Sequence, residues 1–324
     1  MERLPDPGLK RWIRHADSKK DMISIMQVVE STGKEIASDR YVYDQPGFGE
    51  NGRIGFLLIH GLGGTPVELR FAAQGLTRAG FAVYCPLLEG HGGTEAELNA
   101  TTWQDWYDSV VAAHEELRAR CDVVVVGGLS SGALLALRLA AERRDEVAAT
   151  VLLAPTLWPN GWAVPRALRF LKYVPQKQIV NLFNFTEAAP YGIKDERIRQ
   201  FALDSLQGEG RSMKDVFGRS GSMLWELKSL RGAVRSQLPE VKQPTLIFHP
   251  RNDDQADLSN TTEIQRQLGG LVDVVVLDDS YHMITLDRQR SLVVDRAVDF
   301  GQRLTAKLQP RTEVTPAVNQ LAAE

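Results

Sequence analysis

The chain has 324 residues, 43% hydrophobic and 24% charged, with a net charge of −3, the make-up of a soluble globular protein with one large domain or two ordinary ones. So near a balance gives no electrostatic reason to bind nucleic acid or an anionic membrane, and two cysteines cannot build a disulfide framework. The six histidines are scattered, with no Cys-x-x-Cys or His-Glu-x-x-His, so neither a metal nor a cofactor is expected.

The first twenty residues are polar and lack the apolar core of a signal peptide. No apolar run reaches the ~20 residues of a membrane-spanning helix. The expectation is a cytoplasmic protein without stable membrane insertion, its thiols Cys85 and Cys121 buried and free. Residues 1–40 read as a helical extension, with a helix over Met22–Ile36, leading to an edge strand at Arg40–Tyr43. Buried strands are then expected at Ile54–His60, Ala82–Pro86, Val123–Gly127, Thr150–Leu153, Thr245–His249 and Val272–Leu277. Helices are expected at Pro66–Ala79, Trp103–Arg118, Ser131–Arg143, Thr261–Leu268 and Arg288–Leu308. Pro66 suits a first helical turn, where its missing N–H costs nothing. Such alternation implies an α/β fold, a mostly parallel central sheet with helices on both faces. The core is assigned to residues 41–154 and 241–308, with 309–324 as a loose tail.

One interval breaks the rhythm. Between Leu153 and Thr245 lie about ninety residues without a clear buried strand, an excursion of the length that compact domains reserve for function. It reads as proline-broken helices rich in aromatics, among them Trp158, Trp162, Phe170, Tyr173, Phe183 and Phe185. Residues 155–240 are therefore expected to form a helical lid or cap, inserted before the strand that carries the acid. Trp158 and Trp162 are expected to bind substrate there, as the walls of an apolar pocket.

The junction Val123–Ala140 passes from a valine run into an Ala/Leu helix through Gly128-Leu129-Ser130-Ser131-Gly132. Strand, tight turn and helix are the context of a G-x-S-x-G nucleophile elbow with Ser130 at its apex. A serine hydroxyl needs a base, and the base needs an orienting acid. Both are available downstream, each just after a strand: Asp253 or Asp254 in Pro-Arg-Asn-Asp-Asp, and His282 in Asp-Asp-Ser-Tyr-His. The glycines of His60-Gly-Leu-Gly-Gly64 let backbone N–H groups approach an oxyanion, with Leu62 and Ser131 as the expected donors. His60 precedes Ser130 in the chain and is read as a brace of its loop.

Taken together, HGLGG, PLLEGHG (86–92), GLSSG, PRNDD and SYHMITLD (280–287) resemble the bacterial carboxylesterase and monoacylglycerol lipase group of α/β-hydrolases, over residues 53–306. The resemblance implies a serine hydrolase that cleaves small-molecule carboxylic esters through an acyl-enzyme. It maps the acid to Asp253 and the base to His282, and gives Gly90–Gly92, Trp103 and Trp106 packing roles. Two positions depart from the pattern. Ala133 stands where a second glycine is usual, and DDQADLSN lacks the hydrophobic–Pro pair of relatives, which keeps Asp254 and then Asp257 in view as acids. Acyl transfer or thioester cleavage would use the same triad, whereas a non-catalytic binding protein of this fold would have lost part of it.

Overall fold

The computed structural model describes residues 41–208 and 218–308. The expected helix at Met22–Ile36, the rest of the N-terminal extension and the tail 309–324 lie outside the described residues. In chain order the strands are β1 (Tyr43–Gln45), β2 (Ile54–Ile59), β3 (Ala82–Cys85), β4 (Val123–Leu129), β5 (Val147–Leu153), β6 (Asn184–Thr186), β7 (Gly218–Ser220), β8 (Thr245–Pro250) and β9 (Val272–Leu277). Seven form one sheet in the order β1-β3-β2-β4-β5-β8-β9. All its pairings are parallel except that of the edge strand β1, which runs antiparallel to β3.

Alternation along each strand divides the core into two layers. Leu57, Ile59, Val124 and Val126 face one layer, with helices α3 (Trp103–Arg118), α4 (Ser131–Glu142) and α8 (Gly221–Gln237) packed over them. Phe56, Leu58, Val125 and Val151 face the other, covered by α1 (Arg70–Arg78) and α10 (Arg290–Thr305). Helix α3 starts where it does because Thr102 and Asp105 form a reciprocal capping box, the Thr102 hydroxyl accepting from the Asp105 N–H and the Asp105 carboxylate from the Thr102 N–H. Losing such a cap costs about 1 kcal/mol.

The expected helix at Pro66–Ala79 opens as a 3₁₀ turn, Pro66–Leu69, before α1. The edge strand lies at Tyr43–Gln45 rather than Arg40–Tyr43, held by pairing with Val83–Cys85. Strand β5 begins at Val147, earlier than its weakly apolar Ala148-Ala149 start implies, because its ladder with β4 extends from Val124 through an irregularity beside Val125.

Parallel neighbours β5 and β8 require a crossover helix. Helix α8 supplies it, packing against α4. The remaining excursion carries α5 (Arg166–Leu171), α6 (Lys177–Val180) and α7 (Glu196–Gly208). It also holds an antiparallel ribbon of β6 and β7 that the sequence reading did not anticipate, since strands of three residues are too short to show an apolar alternation. A small core of its own, Trp158, Leu168, Leu171, Val180 and Leu224, holds the excursion together.

Candidate active site

The parallel registers bring the carboxyl ends of β2, β4, β5, β8 and β9 to one edge, where open α/β sheets place their ligands. Ile59 pairs with Gly128, Leu129 with Leu153, and Pro250 with Leu277. Every residue expected to do chemistry lies just beyond one of these pairs.

Ser130 sits between β4 and α4 with φ 57° and ψ −116°, a conformation that costs a non-glycine residue about 1–3 kcal/mol. Packing imposes it. A Cβ on Gly128 would stand 2.3 Å from the Gly132 carbonyl carbon, and one on Gly132 would stand 2.3 Å from the Ile59 oxygen. Only glycine at both positions lets the helix start against the strand ends. The turn is also bonded to the next strand, with Ser130 N–H donating to Leu153 O at 2.9 Å and Thr156 N–H to Ser130 O at 3.3 Å. Ala133, the departure from the family pattern, is fully buried in the first turn of α4, within the core that this helix shares with the sheet.

The half-buried Ser130 hydroxyl donates to Thr156 Oγ1 at 3.2 Å, and Thr156 donates in turn to Ala154 O at 3.1 Å. No hydrogen bond joins Ser130 to His282 among the described residues. Thr156 is a partner that the sequence reading missed, and an isolated Pro-Thr after a strand carries no signal for it.

The loop at 60–64 lies alongside, with a Cβ on Gly61 reaching 3.5 Å from Ser130 Cβ. The Gly61 N–H is bound by the Glu68 carboxylate. Ser131 opens α4, where the first N–H groups have no intrahelical acceptor. Leu62 lies in the same glycine loop, half-buried. His60 is fully buried, and burial holds its pKa well below the ordinary value, reinforced by neighbouring His91. As a neutral ring it donates from Nδ1 to Gly61 O at 2.9 Å and accepts the Leu88 N–H at Nε2, 3.1 Å. It ties two loops together.

Across the sheet edge, the Asp253 carboxylate accepts from His282 Nδ1 at 2.9 Å and 3.1 Å, and from the N–H groups of Gln255 and Ala256, each at 2.8 Å. Asp254 turns the other way, accepting from Gly192 N–H at 2.8 Å and His282 N–H at 3.3 Å. All three side chains are buried. Burial alone would lower the His282 pKa, but the Asp253 carboxylate, its hydrogen bond and Asp254 outweigh that and push it up to about 9. Burial alone would raise Asp253, yet its bonds and the imidazole hold it below the usual carboxylate range. Asp254, buried beside Asp253, is pushed up to about 6. His249 backs the acid loop, donating from Nε2 to Ala256 O at 2.7 Å and accepting from Thr261 at Nδ1, 2.8 Å. Burial keeps it neutral, so its 3.6 Å approach to Asp253 is a contact between loop supports.

Of the aromatics expected to meet substrate, Trp158 is 3% exposed and donates its indole N–H to Leu168 O at 3.1 Å, inside the small core of the excursion. Trp162 is 55% exposed, donates to Asn252 O at 3.1 Å, and stands edge-on to Tyr281 with ring centroids 5.5 Å apart. It therefore bridges the acid loop and the histidine loop. Asp257 accepts the Ser259 N–H at 2.9 Å, and no hydrogen bond joins it to His282 among the described residues. No group of His, Cys, Asp and Glu able to hold a metal ion occurs among the described residues, nor any helix long and apolar enough to cross a membrane.

The chain is similar to known proteins over most of this framework. It is 27% identical over 264 residues to the thermostable monoacylglycerol lipase of Bacillus sp. (strain H-257), covering 79% of this chain and 93% of that one. It is 25% identical to a carboxylesterase of Bacillus subtilis (strain 168), covering 76% and 92%. Among solved structures, one from the metagenome-derived lipolytic enzymes LipS and LipT superposes with a TM-score of 0.64 at 27% identity, covering 81% of this chain and 97% of that one. The family model described as the alpha/beta hydrolase family matches residues 56–296, so the chain belongs to the alpha/beta hydrolase family.

Proposed function

We propose that the protein hydrolyses carboxylic esters through an acyl-enzyme on Ser130. On substrate entry the Ser130 hydroxyl turns from Thr156 to His282 Nε2, which takes its proton as Oγ bonds the ester carbonyl carbon. The Leu62 and Ser131 N–H groups receive the charge that forms on the carbonyl oxygen, each such donor being worth ~10²–10³ in rate. The protonated His282 returns its proton to the departing alkoxide, leaving the acyl group on Ser130. A water, deprotonated by the same imidazole, then releases the acid. Asp253 keeps the proton on Nδ1, so that Nε2 faces the reaction, and stabilises the imidazolium.

The observation that carries this reading is the buried His282–Asp253 bond of 2.9 Å at the same sheet edge as a serine held at φ 57°. The likeness to a monoacylglycerol lipase and a carboxylesterase supports esters as the substrate class. Of residues 155–240, α8 packs on α4 within the helical layer of the sheet, so within that class we assign the described residues that precede it, 155–208, as a lid, and medium-chain acyl groups, about six to ten carbons, as its preference. Each buried methylene contributes ~0.8 kcal/mol. Trp162, beside the acid and histidine loops, forms a wall of the acyl site, and Trp158 holds that wall from within the lid core.

A fluorophosphonate tests the nucleophile: mass spectrometry should find the adduct on Ser130, and Ser130→Ala should lose both adduct and turnover. A p-nitrophenyl ester series from acetate to laurate, with one thioester alongside, tests the substrate. Labelling on another serine, or a thioester preferred to every ester, would overturn the reading.

A further inference from the structure

Two adjacent aspartates meet one histidine, and only Asp253 touches its ring. Asp254 is equally buried, bonds no side chain of the site, and spends its carboxylate on two backbone donors from different parts of the chain: His282 N–H at 3.3 Å and Gly192 N–H at 2.8 Å. The Gly192 carbonyl completes the connection by accepting Met283 N–H at 2.8 Å. Five residues after His282, fully buried Asp287 repeats the arrangement. It accepts from Tyr281 and Arg288 in the histidine loop, at 2.7 and 2.9 Å, and from Lys194 and Asp195 in the excursion, at 2.8 and 2.9 Å. The start of the excursion is fastened to the acid loop as well, since Asn160 and Gly161 donate to Gln255 O and Ala163 donates to Asp254 O, at 2.8–3.0 Å.

We propose that Asp254 is a positioning residue for His282, coupling the excursion segment 190–195 to the base through the paired backbone bonds to Gly192 and His282. Asp287 anchors the far end of the same connection. This rests on the ester-hydrolase reading and deepens it: the excursion supplies part of the frame that aims the base. Segments 160–163 and 190–195 then stay with the core when substrate enters.

The charge on Asp254 gives the test a second readout. The charged groups facing the imidazole are Asp253, Asp254 and, from the excursion, Glu187, with His249 behind Asp253. Asp254→Asn keeps the size of the side chain, removes the charge and weakens both bonds. Turnover per labelled Ser130 should fall about 10- to 100-fold with KM nearly unchanged, since small misplacements of a base cost that much. The acid limb of kcat/KM should move to lower pH, because an anion that holds the proton on His282 is gone. Asp287→Asn should lower kcat without moving the limb. Asp254→Ser, smaller but still able to accept one N–H, serves if the asparagine variant does not fold. NMR titration of the His282 Cε1–H in wild type and variant reads the same displacement without turnover. If wild-type protein neither labels at Ser130 nor cleaves esters, the hydrolase reading fails while the titration still judges Asp254. A variant with lower Tm but unchanged kcat per labelled site and an unmoved His282 titration would make Asp254 a residue of fold stability alone, and would overturn the proposal.

Discussion

The elbow and the acid–base loops occupy the same edge of one sheet but are held there by different forces. At the elbow the constraint is steric. Gly128 and Gly132 leave no room for a Cβ, and Ser130 is forced to φ 57° between a strand and a helix that are both buried. At the loops the constraint is hydrogen bonding: three buried carboxylates, Asp253, Asp254 and Asp287, collect backbone N–H groups from the two loops and from the excursion. A steric constraint is local and tolerates no added atoms. A hydrogen-bonded one spans distant segments, and it weakens by degrees as single partners are changed.

The variants that would break this contrast differ widely in size. Ser130→Ala should cost on the order of 10⁶ in kcat while leaving the fold intact, read by ester turnover against a thermal melt. Asp253→Asn should cost about 10⁴, because the amide no longer fixes the Nδ1–H form of the imidazole. Gly132→Ala tests the steric side. Its Cβ would meet two backbone oxygens of the β2 end, Ile59 O at 2.3 Å and His60 O at 2.5 Å, so the melt should drop by several degrees, as overpacking costs ~1–3 kcal/mol. A neutral result there would mean the elbow is as compliant as the loops.

Acidity sharpens the other side. In the proposed mechanism the neutral imidazole is the base, and its pKa is raised to about 9, so activity should be suppressed wherever His282 is protonated. The rate of kcat/KM should therefore climb with pH along a limb above the ordinary value of ~6.5. A limb at or below 6.5 would show that the carboxylates do not hold the proton as tightly as their geometry implies. The smallest effect is expected at Trp162→Ala, which should flatten the preference for medium chains by a few fold while sparing acetate, read from kcat/KM across the ester series.

Legibility in the sequence followed the same divide. The six parallel strands, five of them buried and the sixth, β9, a half-buried sheet edge, are near-continuous apolar runs, and they lie within a few residues of the positions expected from that pattern. The elbow could be read because the two glycines that permit it, Gly128 and Gly132, and the serine between them lie within five residues, although the strand end that Gly132 clears, at Ile59, does not. Spacing alone left Asp253 and Asp254 equivalent. What separates them is the turn in which Asp253 accepts the Gln255 and Ala256 N–H groups, and the position of Gly192 some sixty residues earlier in the chain, which meets Asp254. Trp158 and Trp162 look alike as neighbours in an aromatic-rich stretch. Their different settings depend on whether a carbonyl of the excursion or of the acid loop receives the indole N–H. The closing Asp of SYHMITLD was visible as part of a motif, but its four backbone partners were not.

The route of the excursion has a consequence for how such a protein diversifies. The chain leaves the sheet after β5 and returns along α8 to β8, a direct neighbour of β5, so the sheet is hydrogen-bonded without help from the residues in between. That stretch has a small core, closed by Leu224 of α8, and on the proposed function it can be exchanged like a cassette, lengthened or recut for new substrates while the sheet edge with Ser130, Asp253 and His282 is inherited whole. The anchors set where the splice points fall. Recombinants that keep 160–163 and 190–195 and replace the chain between them should fold and turn over, whereas those cut at the strand ends would discard the frame of the base along with the old specificity.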